Sequence, residues 1–122
     1  MSTQEAAVGD VIYKILTEEH WFLFRQSGRF DGAPVDLADG YIHFSTARQV
    51  RETAARHFAG MTGLVLLVID TGRLGSPLRW EPARGGDLFP HLYAPLAMDA
   101  VLDAHPLPLG PDGAHAFPDD LR

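Results

Sequence analysis

The sequence has no cysteine, one lysine and no long apolar run, and each of these features excludes a class of protein. Without cysteine in its 122 residues, the chain cannot form disulfides or zinc–thiolate sites and cannot use a cysteine nucleophile. No apolar stretch approaches the about 20 residues that a membrane helix needs. The start "MSTQEAAVGD" lacks the basic and then apolar regions of a secretory signal. We therefore expect a cytoplasmic protein without membrane contacts.

The charge balance is acidic. Sixteen acidic residues against ten basic ones give a net charge of −6, which argues against duplex nucleic acid as a partner. Lys14 is the only lysine, so all the other basic residues are arginine. This bias has two explanations. Arginine suits bidentate recognition of phosphate or carboxylate, and the codons of a GC-rich genome produce the same excess.

The apolar pattern predicts a single α+β domain in which two helices come early and short strands follow. The run "LVLLVID" is apolar up to its final aspartate, which indicates a strand buried on both faces. Thr17 is expected to cap a first helix that ends near residues 27–28, and a second helix runs from about 46 to 59. The predicted strands cover residues 11–16, 41–45, 64–70, 78–82, 91–96 and 100–107.

The same pattern predicts the limits of the domain. Residues 1–10 are expected to form a loose leader, 11–107 the folded domain, and 108–122, with three prolines, an irregular tail. Residues 29–40 are rich in Gly, Pro and Asp and are predicted to form a loop. We expect the first three strands to share one core, with both helices packed against it.

The stretch "YIHFSTARQV" (41–50) places a histidine on a strand just before a helix. With period two, His43 and Ser45 lie on one face and the apolar side chains lie on the other. The free N–H groups at Thr46 and the next two residues, together with Arg48, predict an anion-binding corner. The alternative is that Ser45 only caps the helix and His43 is a hydrogen-bonded, half-buried polar residue.

A second polar group lies in "LRWEPARGGDLFPHLYAPL" (78–96). Arg79 and Glu81 share one strand face, and His91 and Tyr93 share another. The Gly-Gly pair after Arg84 lets the backbone approach a ligand closely. Together with His43, this set predicts a small-molecule cleft. The alternatives are a simple ion pair between Glu81 and Arg84 and a packing role for Tyr93.

Two other kinds of site are less consistent with the sequence. His43, His91 and Glu81 could form a two-histidine, one-carboxylate metal site, but no H-x-H or H-x-x-x-H spacing supports it, so no metal is expected. Ser45 lacks the G-x-S-x-G turn that exposes a hydrolase nucleophile.

The order of motifs resembles a known family over roughly residues 11–107. The segments "VIYKILT", "DGYIHFST", "LVLLVIDTGRLG" and "LRWEPARGGDLFPHLYAPLAMDAV" resemble domain-of-unknown-function family 952. That family is grouped with the ADP-ribosyltransferase fold, a compact α+β domain of two packed sheets around a nicotinamide dinucleotide cleft. The chain order also resembles the catalytic half of RNA 2′-phosphotransferases.

The resemblance assigns roles residue by residue. Tyr13-Lys14 stands where the first-strand Tyr-His of the phosphotransferases would stand, so Lys14 replaces the histidine that touches the ribose. His43-Phe44-Ser45 matches their second-strand H-L-S motif, and Arg84 with its two glycines falls near their arginine segment. The late catalytic glutamate of other ADP-ribosyltransferases has no clear equivalent, unless Glu81 takes that role from an earlier strand.

Three functions follow as alternatives. An enzyme would cleave or transfer at C1′ of NAD or an ADP-ribosyl substrate, with Glu81 stabilising the oxocarbenium-like centre and Arg79 or Arg84 holding phosphate. A binding module would recognise a nucleotide or a small phosphorylated ligand without chemistry. An interaction domain would have no pocket. The predicted catalytic residues are His43, Glu81 and His91, and the predicted ligand-binding residues are Tyr13, Lys14, Ser45, Thr46, Arg48, Arg79, Arg84 and Tyr93.

Overall fold

A computed structural model describes residues 10–121, so all but the last residue of the predicted leader lies outside the described residues. The helices are α1 (Glu18–Ser27), α2 (Pro34–Asp39) and α3 (Ala47–His57). The strands are β1 (Val11–Thr17), β2 (Arg29–Phe30), β3 (Ile42–His43), β4 (Leu64–Asp70), β5 (Leu78–Pro82), β6 (Leu88–Leu92), β7 (Leu96–Ala97) and β8 (Val101–Pro106). None of the helices in this part of the chain is long and apolar enough to span a membrane.

The strands form two three-stranded antiparallel sheets and one two-stranded sheet. The first sheet has the order β1-β4-β8, the second β3-β6-β5, and β2 pairs with β7. Tyr13 and Ser45 join the two larger sheets, because each backbone N–H donates to the other's carbonyl oxygen, at 2.8 Å and 2.9 Å. Lys14 and His43 are thereby brought close together at this junction.

The strand β4 lies in the middle of the core. Its odd-numbered residues from Val65 to Ile69 pack into one apolar cluster with residues of β1, α1, β3 and β6. Its even-numbered residues from Leu64 to Val68 pack into a second cluster with α3. Burial on both faces confirms the prediction from "LVLLVID". The first cluster also contains Ile12 and Ile42, so the first three predicted strands do share a core.

The helix α1 follows its sequence signals. The Oγ1 atom of Thr17 accepts a hydrogen bond from the N–H of His20 at 3.1 Å. Gly28 ends the helix with φ of 77°, in the left-handed region that favours glycine. Phe24 is buried in the core, whereas Phe22 and Leu23 are exposed.

The α+β class and the two predicted helices are confirmed, but the prediction of a loop at 29–40 is wrong. That segment contains the short strand β2 and the helix α2. Pro34 suits the first turn of a helix because its fixed φ matches helical geometry. The Asp36 side chain accepts from the N–H of Ala33 at 2.8 Å, which satisfies a group left free at the helix start.

Several boundaries also differ from the prediction. The strand predicted at 41–45 is only two residues long: after it, Phe44 still donates to Pro90 of β6, but Ser45 pairs with Tyr13 of β1 instead. The strand predicted at 91–96 divides into the end of β6 and the start of β7. The helix α3 ends at His57, two residues before its predicted end, and His57 is exposed. In the C-terminal segment, Phe117 and Leu121 pack against the second core cluster.

Candidate functional site

A cavity of about 910 Å³ opens beside the junction of the two larger sheets. It is lined by residues of β1, α2, β3 and α3, by the segment after β5 and by β6. Four of the six histidines of the chain line it, namely His20, His43, His57 and His91. Arg56 and Arg84 line it as well. The cavity is therefore lined by hydrogen-bond donors and positively charged arginines, although the protein has a net negative charge.

Both ring nitrogens of His43 contact carboxylates of α2. Nδ1 lies 2.6 Å from Oδ1 of Asp36, and Nε2 lies 2.8 Å from Oδ2 of Asp39. Both contacts are within hydrogen-bond distance. His43 thus fastens α2, one wall of the cavity, to β3.

Asp36 and Lys14 form a buried ion pair behind His43. Nζ of Lys14 lies 3.1 Å and 3.0 Å from the two oxygens of Asp36 and donates to the carbonyl oxygen of His43 at 2.8 Å. Burial alone would raise the pKa of Asp36, but the bond with His43, the charge of Lys14 and two backbone N–H groups lower it to about 2. Burial lowers the pKa of Lys14, against the attraction of Asp36.

His91 is held by a carboxylate that does not line the cavity. Its side chain is 4% exposed, and Nδ1 lies 2.7 Å from Oε1 of Glu81. The hydroxyl of Tyr93 donates to the same oxygen at 2.8 Å. The bond with His91, followed by that with Tyr93, lowers the pKa of Glu81, and the bond to Glu81 raises the pKa of Tyr93. Nε2 of His91 makes no hydrogen bond to another described residue, and His91 lines the cavity.

Tyr41 connects the two histidines. Its ring stacks on that of His91 with centroids 4.1 Å apart, and it lies 4.7 Å from the ring of His43. The rings of His43 and His91 are 5.5 Å apart, because the two residues pair across β3 and β6. The three residues predicted as catalytic, His43, Glu81 and His91, therefore lie in one cluster. Their catalytic roles stay predictions.

The two predicted phosphate-binding arginines lie in different places. Arg84 lines the cavity, with Nε 3.6 Å from Glu52 and Nη2 3.4 Å from Oγ1 of Thr53. Arg79 is exposed, and its Cζ lies 5.0 Å from the ring centroid of Tyr93. Neither Arg79 nor Glu81 is among the residues that line the cavity. Within the described residues the alternative Glu81–Arg84 ion pair is absent, since Arg84 pairs with Glu52 instead.

The predicted anion corner is divided between two depressions. Ser45 is buried beside the cavity, with Oγ 2.8 Å from Oγ1 of Thr53. Thr46 and Arg48 instead line a separate open depression with Trp80. The N–H of Thr46 already donates to Oε1 of Gln49 at 3.0 Å. Among the remaining predicted ligand-binding residues, Tyr13 and Lys14 line the cavity, whereas Tyr93 does not.

Asp36 and Asp39 are not among the site residues predicted from the sequence, because their segment has the composition of a loop. The signal was present in "APVD", where a proline suited to a first helical turn precedes an acidic residue that can bond back to the N-terminus. Thr53 and Arg56 were missed because they lie on a polar helix, Thr53 in its second half and Arg56 in its last turn. In the part of the chain described, no three His, Asp or Glu side chains are arranged to hold a metal ion.

Comparison with known proteins gives a family but no activity. Residues 15–104 match the family model described as "Protein of unknown function (DUF952)", so the chain belongs to that family. It is 47% identical to protein CC0527 from Caulobacter crescentus, whose crystal structure superposes with a TM-score of 0.83 over 87% of this chain and 93% of that one. The solution NMR structure of CC0527 is 48% identical, with a TM-score of 0.77 over 85% and 90% of the two chains. No curated protein matches the chain.

Proposed function

We propose that this member of the DUF952 family binds a phosphate-bearing nucleotide, such as NAD or ADP-ribose, in the large cavity. We further propose that it acts on that ligand by proton transfer through His91. The observation that carries the proposal is the gathering of four histidines and two arginines around one cavity. A volume of about 910 Å³ lies within the range of about 300–1,000 Å³ that is usual for small-molecule sites.

The charge distribution supports an anionic ligand. Within a chain of net charge −6, the cavity is lined by two arginines and four histidines. Asp39 is the one carboxylate that lines the described cavity, and it is already bound to His43. A phosphate entering the cavity therefore meets donors and positive charge rather than free carboxylates.

The pair of His91 and Glu81 supports chemistry at the ligand. Oε1 of Glu81 contacts Nδ1, which fixes the ring and favours the proton on that nitrogen. Nε2 is then free to accept or return a proton, the task of a general base and acid. Glu81 acts through His91 and is a positioning residue in this proposal rather than the group that stabilises an oxocarbenium centre.

The resemblance to ADP-ribosyltransferases and RNA 2′-phosphotransferases supplies the class of ligand. An ADP-ribosyltransferase-like fold has its nucleotide cleft between two packed sheets, and the cavity here lies beside the junction of two sheets. His43 and Arg84, two of the residues that match the phosphotransferase motifs, line it. We take NAD, ADP-ribose and RNA 2′-phosphate as the ligands to test.

A binding module without chemistry is the second candidate. It is favoured by the position of Glu81, because a glutamate outside the cavity lining cannot contact a sugar carbon inside it. The interaction-domain alternative predicted no pocket, and the cavity counts against it.

Calorimetric titration of NAD, ADP-ribose and RNA 2′-phosphate tests the proposal, and chromatography of the mixtures detects turnover. We expect at least one ligand to bind, and we expect His91→Asn to abolish turnover because the amide lacks an equivalent of Nε2. His105→Asn is the matched control, since His105 lies on β8 and does not line the cavity. Melting curves establish that both variants are folded. Binding without turnover selects the second candidate, and no binding of any of the three ligands contradicts both.

A further inference from the structure

Two arginines lie together at the open edge of the cavity, Arg56 on α3 and Arg84 after β5. Their Nε atoms contact the same carboxylate oxygen, Oε2 of Glu52, at 2.8 Å and 3.6 Å. Both side chains line the cavity. We propose that Arg56 and Arg84 form the subsite for a diphosphate group, an inference that rests on the proposed function and specifies where the phosphates of its ligand bind.

Arg84 is held in place before any ligand arrives. Its Cζ lies 4.8 Å from the ring centroid of Phe89, and Nη2 donates to Oγ1 of Thr53 at 3.4 Å. The single hydroxyl hydrogen of Thr53 goes to the carbonyl oxygen of Gln49 at 3.1 Å, so Oγ1 remains an acceptor for Arg84 and for Ser45. A side chain fixed in this way loses little conformational entropy when it binds an anion.

The backbone beside Arg84 leaves room for a ligand. Gly85 and Gly86 have φ of 69° and 84°, a conformation that favours glycine. The N–H of Ala83 donates to the carbonyl oxygen of Asp87 at 2.9 Å, which closes the turn. Apart from its own chain neighbours, a Cβ atom at either glycine would meet no atom within 4 Å, so the backbone of this turn is not covered by other parts of the chain. A bulky phosphate group can therefore approach this turn without meeting a side chain at Gly85 or Gly86.

The charges of the cluster leave one positive charge uncompensated. The hydrogen bond from Arg56 and then the charge of Arg84 lower the pKa of Glu52, so it is ionised at neutral pH and balances one of the two guanidinium groups. The Nη groups of Arg56 make no hydrogen bond to the described residues. Guanidinium edges match phosphate oxygens in a bidentate geometry, and two guanidinium groups around one point suit adjacent phosphates.

Calorimetry with three probes tests the subsite: pyrophosphate, ADP-ribose and adenosine. We expect Arg56→Gln and Arg84→Gln each to raise the Kd for pyrophosphate and ADP-ribose about tenfold or more, since each removes a charge-assisted hydrogen bond. The Kd for adenosine should not change. Arg51→Gln is the matched control, because Arg51 lies on the same helix but is not among the residues that line the cavity, and its Cζ lies 5.2 Å from the ring of Phe117.

The outcomes separate this inference from the proposed function. One outcome is that the wild type binds ADP-ribose and that both arginine variants bind ADP-ribose and pyrophosphate as tightly as the wild type does. In that case the subsite is overturned and the proposed function stands. If the wild type binds pyrophosphate through these arginines but binds none of the nucleotides, the subsite stands and the proposed function is overturned. An equal loss in Arg51→Gln would indicate a general charge effect and would also overturn the subsite.

Discussion

Replacing Asp36 by asparagine should destabilise the protein strongly while keeping the shape of the side chain. The Asp36 side chain is essentially inaccessible and accepts bonds from Lys14, from the ring and backbone of His43, and from the N–H of Ala33. The amide leaves the ammonium of Lys14 buried without its counter-ion. Breaking a buried ion pair by removing one partner costs about 3–5 kcal/mol, which is a large part of the about 5–15 kcal/mol by which a typical domain is stable.

The pKa of Asp36 gives a second magnitude for the same contact. It lies at about 2 instead of the ordinary 3.8, which corresponds to about 2 kcal/mol of stability. Because the folded-state pKa is the lower one, this contribution is complete above about pH 4 and is lost as the pH falls towards about 2. In Asp36→Asn, that part of the acid dependence should disappear.

Urea denaturation at pH 7 and at a series of lower pH values measures both effects. A double variant with Lys14→Met removes the stranded ammonium and should recover a measurable part of the loss, because contacting residues couple by about 0.5–3 kcal/mol. Asp39→Asn is the control, since the Asp39 side chain is 45% exposed and exposed pairs contribute at most about 1 kcal/mol. Equal losses in Asp36→Asn and Asp39→Asn, or strict additivity with Lys14→Met, would refute the reasoning.

Three further predictions concern other parts of the molecule. Glu81→Gln should reduce ligand affinity or turnover while the melting temperature stays unchanged, because the half-exposed carboxylate orients His91. A large fall in melting temperature without loss of binding would identify Glu81 as a structural residue. Leu66→Ala should lower the free energy of unfolding, measured by urea denaturation, by about 2–5 kcal/mol, because Leu66 is fully buried in β4. A loss below about 1 kcal/mol would contradict tight packing around Leu66. Thr17→Ala should cost about 1 kcal/mol, because it removes the cap of α1, and an unchanged denaturation midpoint would count against that cap.

The sequence was sufficient to predict the elements whose signals are local. The strand β4 is apolar at consecutive positions, and α1 has a cap and a terminal glycine, so both were predicted from neighbouring residues. The helix α2 was not predicted, because its six residues and the glycines on either side have the composition of a loop. A short helix of this kind depends on tertiary contacts, here those of Asp36 with Lys14 and His43.

The sequence indicated which residue types form the site but not how they are arranged in space. Alternation along "YIHFS" predicted the face of His43, and the structure agrees, because Ile42 and Phe44 lie in the core. The pairing of His43 with His91 depends on the register between β3 and β6, which no local pattern specifies. Arg48 likewise lines a different depression from Thr53 and Arg56 of the same helix, which depends on tertiary packing rather than on a local pattern.

The most direct test of the account is an NMR titration that observes the histidine side chains while ADP-ribose is added. We expect the ring signals of His20, His43, His57 and His91 to shift with ligand, since all four line the cavity. The signals of His105 and His115, which do not line the cavity, should stay in place. Shifts confined to His105 and His115, or no shift at any histidine at saturating ligand, would contradict the claim that this cavity is the functional site.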